Sequence, residues 1–306
     1  MNSRELWLQE RKTYVGGSDL GAILGINPYR SCLDVYLEKT SEGVVEETQS
    51  QAAYWGNVLE DVVAGEYSKR TGYKIEKPAG LIRHAEHSYI ACNLDYWVIN
   101  SDGRSHILEC KTANQAKAQL WGIEGTNDIP QSYQFQVGYY AAITGVERVD
   151  IAVLIGGQDF RIYTYNKNKK TEGKLIKVAQ KFWNEHVLKN IPPKPKNDQD
   201  AAKLYPKGNG LEVRADEDVL LKLSMLQDLK ARKVPLEDEI EHLQLDIKEY
   251  MKEGELLIDD GGNALATWKN KAASKRLDTK KLKEEHADIY QQYLKEGKGS
   301  RVFTLK

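Results

Sequence analysis

Three charged residues set inside apolar sequence could do chemistry. Asp95 sits in Tyr89-Ile90-Ala91-Cys92-Asn93-Leu94-Asp95-Tyr96-Trp97-Val98-Ile99, and Glu109 and Lys111 sit in Ile107-Leu108-Glu109-Cys110-Lys111-Thr112. Side chains alternate across a strand, so Glu109 and Lys111 share one face and Cys110 takes the other. Charges in such a setting are costly to bury unless they have partners. Between the two runs lies Asn100-Ser101-Asp102-Gly103, whose Asp-Gly pair signals a tight turn. The two runs therefore read as a hairpin that brings Asp95 towards Glu109 and Lys111. Two carboxylates and one lysine on one sheet face suit a divalent metal held through oxygen. One or two Mg2+ ions, with Mn2+ as a substitute, would polarise a phosphoryl oxygen and stabilise a leaving oxyanion. Lys111 would orient or deprotonate the attacking water, or neutralise charge developing at phosphorus. Glu60 and Gln136 could complete the metal and water shell from flanking helices, and the Cys110 backbone carbonyl could face the metal. A buried Glu109–Lys111 pair serving only the fold is the alternative.

The elements around this strand can be read from spacing. Residues 3–11 form a short helix. Gly16-Gly17-Ser18-Asp19 before a small, apolar run reads as a helix start with a Ser or Asp cap. Free amides there, the Ser18 hydroxyl and nearby Arg11 make a candidate phosphate site; an ordinary N-cap is the alternative. Residues 32–39 and 50–72 are helices. The second places Ala52, Ala53, Trp55, Leu59, Val62, Val63 and Tyr67 at helical spacing and ends at Gly72. Glu60 lies on it one turn after Gly56, where a backbone can approach something closely. Residues 79–84, 88–99 and 105–111 read as a three-stranded meander, and 114–124 and 131–144 as helices. Tyr133, Gln136 and Tyr140 share one face of the last. Strands at 149–155 and 159–166 flank Gly156-Gly157, and a charged helix covers about 169–190.

Pro192-Pro193-Lys194-Pro195-Lys196 is the clearest linker. It divides the chain into a domain at 1–191, the linker at 192–196 and a C-terminal helical and basic extension at 197–306. Within the extension, 216–252 is helical. Leu236, Ile240, Leu243, Ile247 and Tyr250 or Met251 form an alternating 4–3 stripe there, and Pro235 kinks or divides the helix. The stripe fits an amphipathic helix of its own domain, a helical hairpin or an oligomer contact. A hairpin follows around Asp260-Gly261-Gly262. From Lys269 to Lys306 there are 11 Lys and Arg against 5 Asp and Glu, interleaved with Tyr290, Tyr293 and Phe303 and preceded by Trp268. Nucleic-acid contact is a second reading of that run beside a solvated face.

Bulk properties limit the classes. With 44 basic and 45 acidic residues in 306, there is no global nucleic-acid charge signature, so a DNA surface must be a local patch. Cys32, Cys92 and Cys110 are an odd number without CxxC spacing, which argues against disulfides, zinc and iron–sulfur sites. No apolar run reaches membrane-span length and the start does not read as a signal peptide, so the expected location is cytoplasmic.

The E-x-K strand after an Asp-bearing strand resembles the PD-(D/E)xK nuclease superfamily. The order of the motifs is narrower. Trp7-x3-Arg11, Gly16-Gly17-Ser18-Asp19, Trp55-Gly56-x3-Glu60, Asn93-x-Asp95, Glu109-Cys110-Lys111 and Tyr133-x-x-Gln136 resemble the YqaJ-like viral recombinase family, the lambda-type alkaline exonucleases of phages and prophages. The match covers roughly residues 3–165. Leu94 stands where the superfamily's name places proline. The resemblance implies an α+β restriction-endonuclease-like core, a mixed central sheet flanked by helices, with a smaller helical and β C-terminal region. It also implies a Mg2+-dependent exonuclease that degrades the 5′-ended strand of duplex DNA and leaves 3′ overhangs for a single-strand annealing partner. A trimeric ring around DNA, in a bacterial host or encoded by a prophage, belongs to the same expectation. Carried onto this chain, Asp95 and Glu109 would ligate metal and Lys111 would be the catalytic lysine. Glu60 would be the helix carboxylate near the metals, Gln136 and Tyr133 active-site helix residues, and Arg11 and Ser18 would bind the 5′-phosphate. A restriction- or repair-type endonuclease and a non-catalytic DNA-binding scaffold are the competing expectations.

Overall fold

The structure is a computed structural model that describes residues 3–42, 50–99, 105–295, 297 and 299–306. It divides into two compact units, Met1–Leu204 and Tyr205–Lys306. The turn expected at residues 100–103 lies outside the described residues.

The first unit is built on a five-stranded mixed sheet. Its strands are β1 (Lys74–Glu76), β4 (Tyr96–Ile99), β5 (Ser105–Ala113), β6 (Arg148–Ile155) and β7 (Asp159–Asn166), in the order β1-β4-β5-β6-β7. β4 and β5 pair antiparallel, with Tyr96 opposite Leu108, as the hairpin reading expects. β5 and β6 pair parallel, Glu109 opposite Ile151. A parallel pair needs a crossover, and α5 (Gln131–Thr144) supplies it.

Alternation along β5 sorts the layers. Leu108 and Cys110 pack with Val63, Ala64 and Tyr67 of α4 (Gln51–Thr71). Ile107 packs on the other face with Val137, Tyr140 and Ala141 of α5. Gly72 ends α4 with φ 72°, the left-handed cap that glycine adopts without strain. A third cluster joins α2 (Gly17–Ile23), α3 (Cys32–Thr40) and α6 (Lys169–Phe182) to Tyr139. α1 (Ser3–Arg11) precedes them.

Several expectations need correction. The expected strand 88–99 is broken. Ala91–Cys92 (β3) pairs with Ile82–Arg83 (β2) in a separate two-stranded sheet, and Asp95 falls at the bend before β4. The expected helix 114–124 is a six-residue 3-10 turn, Gln115–Leu120. Gly122 then packs its backbone against Asp128, where a Cβ would stand 1.8 Å from the carboxylate, and the chain runs on irregularly to Pro130. β1 lay outside the expected meander. Trp55 and Val62 of α4 are exposed rather than core. Gly56 meets Thr112 only at ordinary contact distance.

The prolines of 192–196 do not end the first unit. α7 (Asp198–Leu204) packs back on it through buried Asp200, whose carboxylate accepts from Ser31 Oγ at 2.8 Å and the Lys196 amide at 3.0 Å.

The second unit holds α8 (Glu217–Met251), the hairpin β8–β9 (Leu256–Ile258, Ala264–Thr267) and the short helices α9 (Thr279–Glu285) and α10 (Ala287–Gln292). Pro235 lies inside α8 without dividing it. The helix is exposed around Pro235, so water can take the carbonyl that proline cannot bond.

Candidate active site

Glu109 is the centre of the site and is 2% exposed. Its Oε1 accepts from Lys111 Nζ at 2.5 Å, as side chains two apart on a strand allow, and from Gln136 Nε2 at 2.8 Å. Gln136 Nε2 also reaches Tyr140 Oη at 2.7 Å. Lys111 Nζ lies 5.0 Å from the centre of the Tyr133 ring. One face of α5 thus lines the strand with Tyr133, Gln136 and Tyr140. Asp95, at its bend, accepts the Cys110 amide N–H through Oδ2 at 2.7 Å. Cys110 therefore meets Asp95 through its amide.

Electrostatics couple the group. Burial, then the neighbouring Asp95 carboxylate, push Glu109 up to about 8, against the pull of Lys111. Asp95 is also raised, by burial, although Lys111 and the Cys110 amide oppose the rise. Burial and Asp95 raise half-buried Glu60, which places it within electrostatic reach from α4. Lys111 goes the other way: burial would lower it, but Glu109 and Asp95 hold it above the ordinary lysine value. Excess negative charge in a dry pocket is the state a cation relieves.

The fit to a metal rests on one pair of acids. Glu109 Oε2 is buried and takes no hydrogen bond from a donor group, while the Asp95 carboxyl lies within hydrogen-bond reach of Glu109, so the two acids must share a proton or a cation. Glu109 and Asp95, with Glu60 near them, offer carboxylate oxygens, the choice of hard ions such as Mg2+. Among the described residues no three His, Cys, Asp or Glu side chains converge on one point. Asp95 and Glu109 would therefore carry the ion with backbone carbonyl or water, and Glu60 stands outside that pair. Mg2+ keeps several waters and uses one or two carboxylates in just this way.

The expected phosphate elements lie beside the site. Gly16 caps α2 with its amide N–H donated to Asp19 Oδ2 at 2.9 Å, so Ser18 is not the cap but an exposed first-turn residue. Gly17 lies against Tyr140, where a Cβ would come within 2.5 Å of the ring and 3.1 Å of Gln136. That close approach carries the start of α2 onto the face that holds Glu109.

Arg11 is held by two carboxylates. Its guanidinium donates to Asp19 at 3.1 Å and Glu38 at 3.3 Å. Asp19 is fully buried and also pairs with Arg30 at 2.7 Å and Lys39 at 3.0 Å. Burial works against its ionisation, but Lys39, Arg30 and Arg11 outweigh it and hold the carboxyl well below the usual range. Sequence reasoning missed Arg30, Lys39, Glu38 and this role of Asp19. Their only signal was charge beside apolar sequence, Arg30 just ahead of α3 and Glu38-Lys39 near its end.

Comparison with known proteins bears on the family and the fold. The model of the YqaJ-like viral recombinase domain matches residues 6–147. The uncharacterized protein YqaJ of Bacillus subtilis (strain 168) is 34% identical over 302 residues, 96% of this chain and 92% of that one. Protein D345L of African swine fever virus is 39% identical over 59 residues, 19% of this chain and 16% of that one. An alkaline exonuclease from Laribacter hongkongensis superposes with a TM-score of 0.50 at 17% identity, covering 66% of this chain and 100% of that one. The fold is therefore that of the Laribacter alkaline exonuclease, a mixed central sheet flanked by helices, as the motif order implied.

Proposed function

Because the chain belongs to the YqaJ-like viral recombinase family, we propose that it is a Mg2+-dependent exodeoxyribonuclease that degrades the 5′-ended strand of linear duplex DNA. The observation that carries the reading is the buried pair of acids, Glu109, whose Oε2 takes no hydrogen bond from a donor group, against Asp95. Asp95 and Glu109 would hold the ion, with the Cys110 carbonyl and water as further ligands and Glu60 behind them. When bound, the ion would polarise the scissile phosphate and stabilise the leaving oxyanion.

The chain's own residues do the rest. Lys111, held protonated by its two carboxylate neighbours, orients the attacking water and offsets charge at phosphorus rather than acting as the base. Gln136 fixes Glu109 from the side, leaving Oε2 to face the ion. Tyr133 covers the lysine and limits its motion. Arg11, anchored by Asp19 and backed by Arg30 and Lys39, and Ser18 at the rim would receive the 5′-phosphate. Three cations against Asp19 and Glu38 leave that corner net positive. The products would be 3′ overhangs for a single-strand annealing protein in phage-type recombination, made in the bacterial cytoplasm by a ring of three chains.

Linear duplex with a 5′-phosphate, linear duplex with a 5′-hydroxyl and closed circular duplex, each incubated with Mg2+, test the reading. Loss of the linear molecules with the circle intact, fastest for the phosphorylated end, is the expected result. Equal cutting of circle and line would replace it with an endonuclease.

A further inference from the structure

The longest helix among the described residues lies in the second unit. α8 runs 35 residues, about 52 Å at the helical rise, and buries no residue. Its apolar stripe is a heptad pattern. Leu226, Ile240 and Ile247 occupy one core position, conventionally a, and Leu229, Leu236, Leu243 and Tyr250 occupy the other, d. The run spans three and a half heptads, and the a and d residues from Leu229 onward are all 44% exposed or more.

We propose that α8 pairs with α8 of a second copy of this chain as a parallel, two-stranded coiled coil. Four features choose that occupant. β-branched Ile at a with Leu at d favours two parallel strands over three or four. Lys233 is the single charged a residue, the device that fixes register and strand number at some cost in stability. Its ammonium leans on Glu237 at 3.0 Å, so it can leave the seam's centre for the flank. Pro235 falls at position c and the carbonyl it leaves unbonded, Ala231, at f, both on the outer surface, so the proline costs the seam nothing.

The flanks set orientation. In parallel register Arg232 at g faces Glu237 at e of the other copy, and no like charges meet across the flanks from Met225 to Met251. In the antiparallel arrangement that stacks Leu236 on Ile240, Glu237 and Glu239 each face their own counterparts. Two strands cannot follow a threefold axis. If the nuclease units close into rings of three, α8 joins chains of different rings.

Two measurements on the full chain test the proposal, and neither depends on the metal site. Light scattering on a sizing column should give a mass that halves on Leu236→Asp/Ile240→Asp. Mild oxidation should convert Ile240→Cys, on the seam, to a covalent dimer. Leu245→Cys, at outer position f, should cross-link no more than the parent, which already carries Cys32, Cys92 and Cys110. The cysteine variants are conservative and keep the test valid if the aspartates disturb folding. An unchanged mass, a fall to one third, or equal cross-linking at 240 and 245 would overturn it, pointing to no self-contact, three strands or a different partner.

Discussion

Glu109 carries the tension of the site. Its ordinary value of 4.5 rises to about 8, so the folded chain holds a proton there that the unfolded chain has released. Stability linked to this group is fully present below about 4.5 and is lost as pH rises through about 8. In chelator, thermal unfolding of the wild type should therefore show a falling Tm across that window, and Glu109→Gln should flatten the fall. Mg2+ should raise the wild-type Tm at pH 8 and leave Glu109→Gln nearly unmoved; an equal rise in both would place the ion elsewhere. At this scale the sequence was informative where chemistry follows strand period. Glu109 and Lys111 had to share a face, and they do. It was silent where charges meet from distant elements. Nothing in Gly16-Gly17-Ser18-Asp19 says that Asp19 will gather Arg11, Arg30 and Lys39, because such pairing exists only after three helices pack.

Elements hold these residues through a few close approaches. Gly17→Ala would drive a methyl to 2.5 Å from the Tyr140 ring, so α2 must shift off α5. A cost of about 1–3 kcal/mol is expected from overpacking. Denaturant unfolding reads that cost, and a neutral result would mean Tyr140 swings aside freely. On the opposite layer, buried Asp150 of β6 accepts from Tyr67 of α4 at 2.5 Å, Arg148 at 2.7 Å and Thr164 at 2.9 Å, and lies 3.2 Å from His106. Burial alone would raise this carboxyl, but the bonds from His106, Arg148 and Tyr67 hold it at about 2. Its contribution is present above its ordinary 3.8 and is lost as pH falls through about 2. Acid titration of stability should show a loss between those values that shrinks in Asp150→Asn. Tyr67→Phe should cost about 1–3 kcal/mol, since an acceptor and the α4–β6 tie lose one partner. Long periodic helices such as α4 and α5 were legible. The break at Asp95 was not, because an unbroken apolar run carries no mark of where one sheet hands over to another. The 114–124 segment misled for a similar reason: its Ala and Gln residues favour helix, while Gly122 and its contact with Asp128 decide otherwise.

For the whole molecule, the order of weak motifs was a better guide than any one of them, and the mixed sheet with α4 and α5 on opposite faces is what gives that order its meaning. The end of the first unit was harder to read. Pro192 to Lys196 looks like a linker, yet Asp200 returns the chain to Ser31. The second unit yields its secondary structure readily, since α8 keeps one stripe through Pro235. The account as a whole stands on the buried Glu109 and Asp95 carboxyls being the seat of cleavage. The direct measurement is Mg2+-dependent digestion of 5′-phosphorylated linear duplex by wild type and Glu109→Gln, with the lost strand identified by end label. We predict loss of the 5′-ended strand by the wild type and a fall in rate of at least about 100-fold in the variant, at unchanged folding by circular dichroism. A folded Glu109→Gln protein that digests DNA at the wild-type rate would contradict the account.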